Sequence, residues 1–328
     1  MPFYYIIAIV IGAVICLAFA LAAVCYAVAF GSRADKNPLL KYFTADDFGL
    51  SASGVGIKCG KNELRGYIYR NERVFSNGKT VIFVHGMGAG HIAYTTEISY
   101  FCNLGYAVLA VDSLGCNLSD GKRIRGMYQG VKTAVAAIDY ACAELGGEIY
   151  LVGHSWGGYS ALCASAMRKV DKAVAISAPS TPVKTLREGA AKFIGKPLAY
   201  LLCPFWFIIN FLVFGSKGNM SAVKAAQKNG TPTLLIQGDA DGIVTPVKSA
   251  FGGDYGDGVV KYAAVGKAHN PYNTLDAEKR LGELTAALAR AGKMTKEERE
   301  KFFGGFDFKA ATQEDEKVMN LIAEFLAN

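Results

Sequence analysis

The first thirty residues of the chain lack charged side chains, and charged residues make up only 19% of the 328-residue sequence. The apolar run Phe3–Phe30 is longer than the ~20 residues that a helix needs to cross a bilayer. We therefore expect one transmembrane helix within residues 1–31. The alternative is a secretory signal peptide, but no basic residue precedes the run, and its apolar core exceeds the ~7–15 residues typical of such peptides.

The charges that follow the apolar run are mainly positive. Arg33, Lys36 and Lys41 outweigh Asp35, and an excess of basic residues marks the cytoplasmic side of a membrane helix. We expect a single-pass protein of the cell membrane whose remaining residues lie in the cytoplasm. A reducing compartment also agrees with the eight cysteines, which show no disulfide framework and lie mostly in apolar contexts.

Several common binding motifs are missing. The cysteines have no metal-ligand spacing, no G-x-x-x-x-G-K-[ST] motif occurs, and the glycine-rich loop at residues 86–90 is followed by His91 where G-x-G-x-x-G requires glycine. No basic run with interleaved aromatic residues accompanies the net charge of +7. We expect no metal, no cofactor and no nucleic-acid partner, and the positive charge suits an anionic membrane surface.

Beyond residue 53, short apolar runs alternate with segments of helical periodicity. Strands are predicted at residues 54–59, 65–70, 80–84, 106–111, 149–152, 173–176, 233–237 and 259–265. The first two are separated by a Gly-Lys-Asn turn and form a hairpin, while runs such as Thr80–Val84 are typical of strands buried on both faces of a parallel sheet. The alternation predicts an α/β fold with a doubly wound, mostly parallel sheet.

The alternation is interrupted over residues 179–230, where no clear strand is found and residues 197–214 form an uncharged, heavily aromatic block. We expect a helical cap inserted into the sheet domain. The chain then divides into an anchor (1–31), a juxtamembrane linker (32–53), a first core segment (54–178), the cap (179–230) and a second core segment (231–328). A second membrane span at 197–214 would put the two core segments on opposite sides of the membrane, and Pro204 and Asn210 also argue against it.

Residues 153–157, Gly-His-Ser-Trp-Gly, form a G-x-S-x-G motif between a β-forming run and an apolar helical segment. We expect a strand, a sharp turn centred on Ser155, and a helix. Such a turn strains its central residue, and glycines two positions to either side let the strand and the helix approach without Cβ clashes. The hydroxyl of Ser155 is then presented at a helix N-terminus.

A serine hydroxyl is a poor nucleophile at neutral pH, so it needs a base, and the base needs an acid that orients it. Of the four histidines, His269 is the one that follows the last predicted strand, and it is the candidate base. Two aspartates after the preceding strand compete for the role of the acid. Asp241 is preferred because the chain has fully turned over before it, and Asp239 is the alternative.

The chain order Ser155, Asp241, His269 resembles that of the α/β-hydrolases, and the resemblance covers about residues 54–326. Within that superfamily the chain is similar to capped serine hydrolases of the group that includes monoacylglycerol lipases, lysophospholipases and serine aminopeptidases. The resemblance implies the α/β-hydrolase fold with an inserted helical cap.

Two further segments carry the resemblance. Residues 85–88, His-Gly-Met-Gly, resemble the oxyanion loop of that group, and residues 112–119 resemble its D-x-x-G-x-G-x-S loop, with Asn117 in place of the second glycine. The departure at Asn117 leaves the triad untouched. We expect the backbone N–H groups of Met87 and Trp156 to hold the oxyanion of a tetrahedral intermediate.

These features predict a membrane-anchored serine hydrolase that cleaves a carboxylic ester, of a lipid or lysolipid, through an acyl-enzyme on Ser155. In the cap, Phe205, Trp206 and Phe207 are candidates for contact with the substrate's acyl group or with the bilayer. The other interpretation of these aromatic residues is that they bury the cap against the sheet.

Two alternative functions differ in what they require of the sequence. A serine aminopeptidase or amidase of the same fold would need a carboxylate in the cap to bind a free amine, and Glu188 is the only acidic residue in 179–230. A non-catalytic, membrane-tethered binding protein would be expected to have a broken triad, whereas every member is present here.

Overall fold

The computed structural model describes residues 2–88, 90–228 and 230–328. Its centre is a sheet of eight strands in the order β1-β2-β4-β3-β5-β6-β7-β8. The strands are β1 (Ser51–Cys59), β2 (Asn62–Arg70), β3 (Thr80–Val84), β4 (Ala107–Val111), β5 (Ile149–His154), β6 (Lys172–Ile176), β7 (Thr233–Gly238) and β8 (Val259–Ala264). Strand β2 is antiparallel to β1 and β4, and the other neighbouring pairs are parallel. The predicted fold class, a mostly parallel sheet, is confirmed.

The central strands are buried on both faces. Every residue of β3, β5 and β7 is buried, which explains why their sequences are largely continuous apolar runs. Strand β8 lies at the edge and is partly exposed. Because the parallel strands all end at one edge of the sheet, the loops that follow them gather there.

Helices cover both faces of the sheet. They are α1 (Phe3–Phe30), α2 (Thr95–Asn103), α3 (Tyr128–Glu144), α4 (Trp156–Ser165), α5 (Pro182–Ile194), α6 (Lys196–Leu201), α7 (Cys203–Phe214), α8 (Ala222–Lys228), α9 (Leu275–Arg290), α10 (Lys296–Gly305) and α11 (Glu316–Ala327). Helices α3 and α4 bury Ala137 and Leu162 in a core on one face, and α2 and α11 bury Phe101 and Ile322 in a core on the other. The C-terminal helix thus packs as its apolar i, i+3, i+4 spacing predicts.

Helices α5 to α8 lie between β6 and β7, where the sequence predicts an inserted helical cap. The aromatic block at 197–214 forms two short helices, α6 and α7, that are separated at Leu202. Helix α7 has 12 residues, fewer than the ~20 needed to cross a bilayer. Within the described residues, α1 is the one helix long and apolar enough to cross a membrane, by length and composition.

Helix α1 is exposed along most of its length, but its C-terminal third packs on the rest of the protein. Ala22, Tyr26 and Phe30 are buried there. The indole Nε1–H of Trp206 in α7 donates to the carbonyl oxygen of Ala22 (3.0 Å), and the hydroxyl of Tyr26 lies 3.1 Å from Oδ1 of Asn210. Helix α1 therefore has a defined position against the cap.

Two carboxyl groups are buried close together where α2 meets the segment before α11. Glu97 is 6% exposed, and Oε1 of Glu314 has no hydrogen-bond partner among the residues that the structure describes. Burial raises the pKa of Glu97, and burial together with repulsion from Glu97 raises the pKa of Glu314 well above the ordinary value. Both groups therefore favour the protonated form in the folded protein.

We expect Glu314→Gln to raise the melting temperature by about 2–4 °C at about pH 8 and to change it little at about pH 4. The folded protein holds these protons more tightly than the unfolded chain, whose glutamates titrate near ~4.3, so wild-type stability falls as the pH rises above that value. Glutamine cannot ionise and keeps the neutral form at every pH. Thermal unfolding of the detergent-solubilised chain, followed by circular dichroism, measures the difference.

Glu324→Gln is the matched control, because Glu324 lies exposed on the neighbouring helix α11. It should shift the melting temperature at neither pH. A Glu314→Gln protein that is less stable than wild type at the higher pH would contradict the assignment of Glu314 as a buried, protonated group.

Candidate active site

Ser155 lies at the junction of β5 and α4 with φ 54° and ψ −118°, a region that L-residues rarely adopt. A Cβ atom at Gly153 would lie 2.4 Å from the carbonyl oxygen of Gly157, and one at Gly157 would lie 1.9 Å from the carbonyl oxygen of Val84. Gly153 therefore allows the close approach of β5 and α4 that the motif predicts, and Gly157 allows α4 to lie against the end of β3. The turn presents the side chain of Ser155 at the C-terminal edge of the sheet.

Ser155, His269 and Asp241 form a continuous hydrogen-bonded chain. Oγ of Ser155 lies 3.0 Å from Nε2 of His269, and Nδ1 of His269 lies 2.9 Å from Oδ2 of Asp241. A carboxylate accepts, so Nδ1 carries the ring proton and Nε2 is free to accept from the serine. Asp239, the alternative acid, is exposed and accepts a hydrogen bond from the N–H of Gly266 (2.7 Å). The structure thus brings together the preferred three residues.

Asp241 is 3% exposed and is surrounded by donors. Its carboxylate accepts from Nε2 of Gln237 (2.9 Å) and from the backbone N–H groups of Ile243 (2.8 Å) and Val244 (2.9 Å), besides His269. Burial alone would raise the pKa of Asp241, but the hydrogen bonds from His269 and the two backbone N–H groups lower it below the ordinary value. Asp241 is thus held as the carboxylate, the form that stabilises a protonated His269.

Met87 and Trp156 lie on either side of the Ser155 turn. Met87 belongs to the loop after β3, and β3 pairs in parallel with β5 up to Val84 and Gly153, so the two strands end side by side. Trp156 is the first residue of α4, where a backbone N–H has no acceptor within the helix. The structure places both residues at the edge that carries Ser155, and their role as oxyanion donors remains a prediction.

His154, the residue before Ser155, connects the two sides of the site. Its Nε2 lies 2.9 Å from the carbonyl oxygen of His269, and its Nδ1 lies 2.9 Å from the hydroxyl of Tyr94, which in turn lies 3.1 Å from the backbone N of Gly86. A carbonyl only accepts, so Nε2 carries the proton, Nδ1 accepts from the Tyr94 O–H, and the Tyr94 oxygen accepts from the Gly86 N–H. One ring therefore links the loop after β3 to the backbone of His269.

The sequence does not predict the roles of Tyr94, which binds His154, and Gln237, which binds Asp241. Gln237 occupies the end of β7, where its sequence context is that of a buried strand. Tyr94 lies 60 residues before His154 and no local motif marks it. The sequence offers one clue, which is His154 inside the G-x-S-x-G motif. A histidine buried beside the turn needs a hydrogen-bond partner, and Tyr94 is that partner.

The remaining histidines, His85 and His91, support the loops after β3 and β4. Nε2 of His85 accepts from the backbone N–H of Ser113 (2.8 Å), and burial lowers the pKa of His85. Nδ1 of His91 lies 2.8 Å from Oδ1 of Asp112, and its Nε2 lies 3.0 Å from the hydroxyl of Tyr69. Both rings are buried: that of His85 binds the backbone of Ser113, and that of His91 joins the side chains of Asp112 and Tyr69.

Asn117 adopts φ 35° at the position where the related loop has glycine. Asparagine tolerates the left-handed region better than most residues, which explains how the loop forms without the glycine. The guanidinium of Arg33, just after α1, donates to the carbonyl oxygens of Asn117, Ser119 (3.0 Å) and Gly121 (2.6 Å). The linker is thereby fixed to the loop after β4.

The three cap residues predicted to contact substrate lie on or beside the α1 side of the cap. Trp206 is fully buried against Ala22, and the ring of Phe205 lies 6.2 Å from that of Phe19 in an edge-to-face arrangement. Phe207 is 54% exposed. Packing of the cap on α1 thus accounts for Phe205 and Trp206, and contact of any of the three with substrate remains a prediction.

Several cavities lie apart from Ser155, including one of about 830 Å³ between the linker and α10. One of about 440 Å³ lies between β1 and α3 beside Lys132 and Asp139, and one of about 210 Å³ lies between α1 and α7. Within residues 2–88, 90–228 and 230–328, no group of three or more histidine, cysteine, aspartate and glutamate side chains could hold a metal ion. The hydrogen-bonded chain at Ser155 is therefore the chemical centre that the geometry identifies.

Comparison with known proteins identifies the family of this chain. Residues 81–291 match the model of the alpha/beta hydrolase family, and the chain belongs to that family. A search of curated proteins finds no match. The predicted resemblance to α/β-hydrolases is confirmed.

Solved structures agree on the fold. A Pyrococcus furiosus esterase, Pf2001, is 20% identical, with 79% of this chain and 98% of the other covered and a TM-score of 0.58. The alpha/beta hydrolase GrgF from Penicillium sp. sh18 is 19% identical, with coverage of 74% and 98% and a TM-score of 0.52. Est1E from Butyrivibrio proteoclasticus is 17% identical, with coverage of 85% and 100% and a TM-score of 0.51. At these identities the likeness shows the fold alone.

We expect the imidazole of His154 to remain neutral, with its proton on Nε2, between about pH 5 and about pH 8. Burial, reinforced by the nearby His269, lowers the pKa of His154 to about 3. Nitrogen-15 NMR of histidine-labelled protein reports the protonation of each ring nitrogen, and His154→Gln assigns the signals. In Tyr94→Phe the Nδ1 signal should shift while Nε2 stays protonated. A His154 ring that titrates near its ordinary pKa would contradict the network.

Proposed function

We propose that this protein is a membrane-anchored serine hydrolase that cleaves a carboxylic ester through an acyl-enzyme on Ser155. The observation that carries the proposal is the hydrogen-bonded chain from Ser155 through His269 to Asp241, built on a strained turn. Such a chain activates a serine for attack on a carbonyl carbon and provides the proton carrier that the reaction needs.

In the first half of the reaction, Nε2 of His269 takes the proton of Ser155 as Oγ bonds to the carbonyl carbon of the ester. Asp241 stabilises the imidazolium that forms. The tetrahedral intermediate then collapses, the bond from carbon to the alcohol oxygen breaks, and His269 gives its proton to that oxygen. The alcohol leaves and the acyl group stays on Oγ of Ser155.

In the second half, a water molecule replaces the alcohol. His269 takes one proton from the water as its oxygen bonds to the acyl carbon, the bond to Oγ of Ser155 breaks, and the proton returns to Oγ. The carboxylic acid is released. In both halves the backbone N–H groups of Met87 and Trp156 are the proposed donors to the oxyanion, and losing one such donor typically costs ~10²–10³ in rate.

The proposed substrate is an ester with an apolar acyl chain, of the lipid or lysolipid class. Exposed apolar side chains stand on three of the loops that gather at the edge of Ser155: Met87 after β3, Leu118 after β4 and Ile243 after β7. Ligands of parallel α/β sheets bind outside the carboxyl ends of the strands, which is where these side chains stand. An apolar rim favours an acyl chain over a charged or strongly polar group.

The amidase alternative is weaker because the one cap carboxylate is already neutralised. Glu188 forms ion pairs with Arg187 (2.9 Å) and Lys248 (2.5 Å). Burial alone would raise the pKa of Glu188, but these two cations lower it below the ordinary value. A carboxylate held in this way is a poor receptor for the free amine of a peptide. A non-catalytic binding protein would have no need of the intact chain at Ser155.

The membrane anchor is proposed to be α1, retained in the mature protein. Removing α1 would take away the partner that Ala22 provides for the indole N–H of Trp206 and the one that Tyr26 provides for the amide oxygen of Asn210, and would expose the apolar surface around them. These contacts favour an anchor over a cleaved signal peptide, and the basic linker favours a cytoplasmic hydrolase domain.

We expect a fluorophosphonate probe to label the detergent-solubilised wild-type protein and to leave Ser155→Ala unlabelled, because the probe reacts only with an activated serine. Hydrolysis of a p-nitrophenyl ester by Ser155→Ala should fall by at least about 10⁴-fold. Ser53→Ala, at an exposed position on β1, is the control and should behave as wild type. Wild-type protein that stays unlabelled would refute the proposed chemistry.

The two aspartates provide a matched pair for the acid. Asp241→Asn should lower kcat by about 10⁴-fold, because asparagine favours the wrong tautomer of His269. Asp239→Asn should change kcat less than about threefold, since Asp239 bonds Gly266 and not the ring. Equal losses in the two variants would show that the acid has been misassigned.

The acyl preference is tested with p-nitrophenyl esters of increasing chain length, presented in mixed micelles to the same enzyme. We expect kcat/KM to rise from acetyl to long acyl chains by roughly tenfold or more, because each buried methylene contributes ~0.8 kcal/mol. All of these esters have the same alcohol, so a rise in kcat/KM across the series reports the acyl chain. A preference for the acetyl ester would remove the lipid proposal and leave the hydrolase proposal standing.

The anchor and its orientation are tested through Cys142, an exposed cysteine on α3. We expect a membrane-impermeant maleimide to miss Cys142 in intact cells and to label it after lysis, and we expect the mass of the mature protein to include α1. Cys142→Ser is the control for the labelled position. A chain that begins after Phe30, or labelling in intact cells, would contradict the anchor or its orientation respectively.

A further inference from the structure

Helices α1 and α7 lie side by side and run in the same direction. The contacts advance together along both helices: Phe19 meets Phe205, Ala22 meets Trp206, and Tyr26 meets Asn210. Further along, Phe30 and Val213 line the same small cavity. At a rise of 1.5 Å per residue, α7 accompanies α1 for about 12–16 Å.

The outer face of α7 is apolar and uncovered. Phe207, Ile208, Phe211 and Leu212 are 54%, 44%, 52% and 70% exposed, and α7 contains no charged residue. On the side of α1 away from α7, Val24 and Val28 are 59% and 79% exposed. Helix α7 therefore adds an uncovered apolar face beside an apolar helix, of a kind that marks contact with a membrane or with another protein.

Cations frame one end of this surface. Arg123 and Arg125 are exposed and line the cavity between the ends of α1 and α7, and Lys122 and Lys217 are exposed nearby in sequence. No acidic residue occurs from residue 203 to residue 220. Apolar surface followed by a rim of basic side chains is the pattern of a protein region that enters a bilayer from an anionic headgroup layer.

We propose that α7 is inserted in the cytoplasmic leaflet beside the C-terminal third of α1, with Phe207, Ile208, Phe211 and Leu212 in contact with lipid acyl chains. Because α7 is fixed to α1 by Trp206 and the Tyr26–Asn210 contact, it shares the depth of the helix it accompanies. The cap is then an integral membrane element. This proposal rests on the proposed anchor and is independent of the hydrolase chemistry.

The observations favour lipid over a second copy of this chain as the occupant. Helix α1 lies beside the outer face of α7, so a partner protein would have to bind this face within the same leaflet. The exposed side chains of α7 are all hydrocarbon and offer no polar group to fix the register of a protein contact. Phe207 thereby contacts lipid acyl chains, not the acyl group of a substrate.

The test places a photoreactive benzoylphenylalanine at Phe211 of the full chain, reconstituted in vesicles of phosphatidylethanolamine and phosphatidylglycerol. Matched positions are Ile9, 60% exposed on α1, and Phe75, which is 95% exposed in the loop after β2. Phe75 lies next to Gly105, which precedes β4, at the edge of the sheet opposite Ser155. Lipid adducts after illumination are measured by mass spectrometry.

The yield of lipid adduct at Phe211 should be within about twofold of that at Ile9 and at least about tenfold above that at Phe75. Adduct at Ile9 without adduct at Phe211 would overturn the insertion of α7 and leave the anchor standing. A cross-linked dimer from Phe211 would overturn it in favour of a second copy, and absence of adduct at Ile9 would overturn both. Fluorophosphonate labelling of each variant shows separately that the fold and the proposed activity survive, and Leu212 serves as a second position on the same face.

Discussion

The close approach of β5 and α4 at Ser155 is the constraint on which the rest of the site depends. A Cβ atom at Gly153 would lie 2.4 Å from the carbonyl oxygen of Gly157 in α4, so no other residue type fits there without moving the strand or the helix. The turn holds Ser155 at positive φ directly before Trp156, whose N–H has no acceptor within α4. The loops after β3, β7 and β8 are then arranged around Ser155, whose position is fixed by the backbone of this turn.

Burial separates the four histidines into three buried rings and one partly exposed ring. His85, His91 and His154 are at most 4% exposed, and each ring nitrogen has a fixed protein partner. These hydrogen bonds hold each buried ring in one orientation. His269 is partly exposed and directs one nitrogen at Ser155. Because the buried ring of His154 also donates to the backbone carbonyl of His269, it helps to position His269 beside Ser155.

Much of the fold and the central part of the site could be predicted, for physical reasons that also explain the omissions. Strands buried on both faces must be apolar throughout, so runs such as Thr80–Val84 are visible in the sequence. The loops that follow parallel strands lie at one edge of the sheet. The order of residues along the chain is therefore enough to select His269 as the candidate base and to prefer Asp241 as the candidate acid. Tyr94 could not be found, because its partner lies 60 residues away. The role of Trp206 depends on Ala22, a contact across 184 residues.

The attachment of α1 at two places fixes its position relative to the rest of the protein. On one side, α1 packs on α7 of the cap. Helix α5 of the cap contacts the loop that carries Asp241, where Nζ of Lys192 donates to the carbonyl oxygen of Gly242 (3.4 Å). On the other side the linker is bound to the sheet domain, since the N–H of Ala34 donates to the carbonyl of Gly115 (3.0 Å) and Arg33 binds the same loop. A helix held at the cap and at the sheet cannot swivel about a flexible joint. The position of α1 relative to the sheet that carries Ser155 is therefore a property of the folded structure. Under the proposed anchor, a substrate drawn from the membrane would meet the site from one fixed direction.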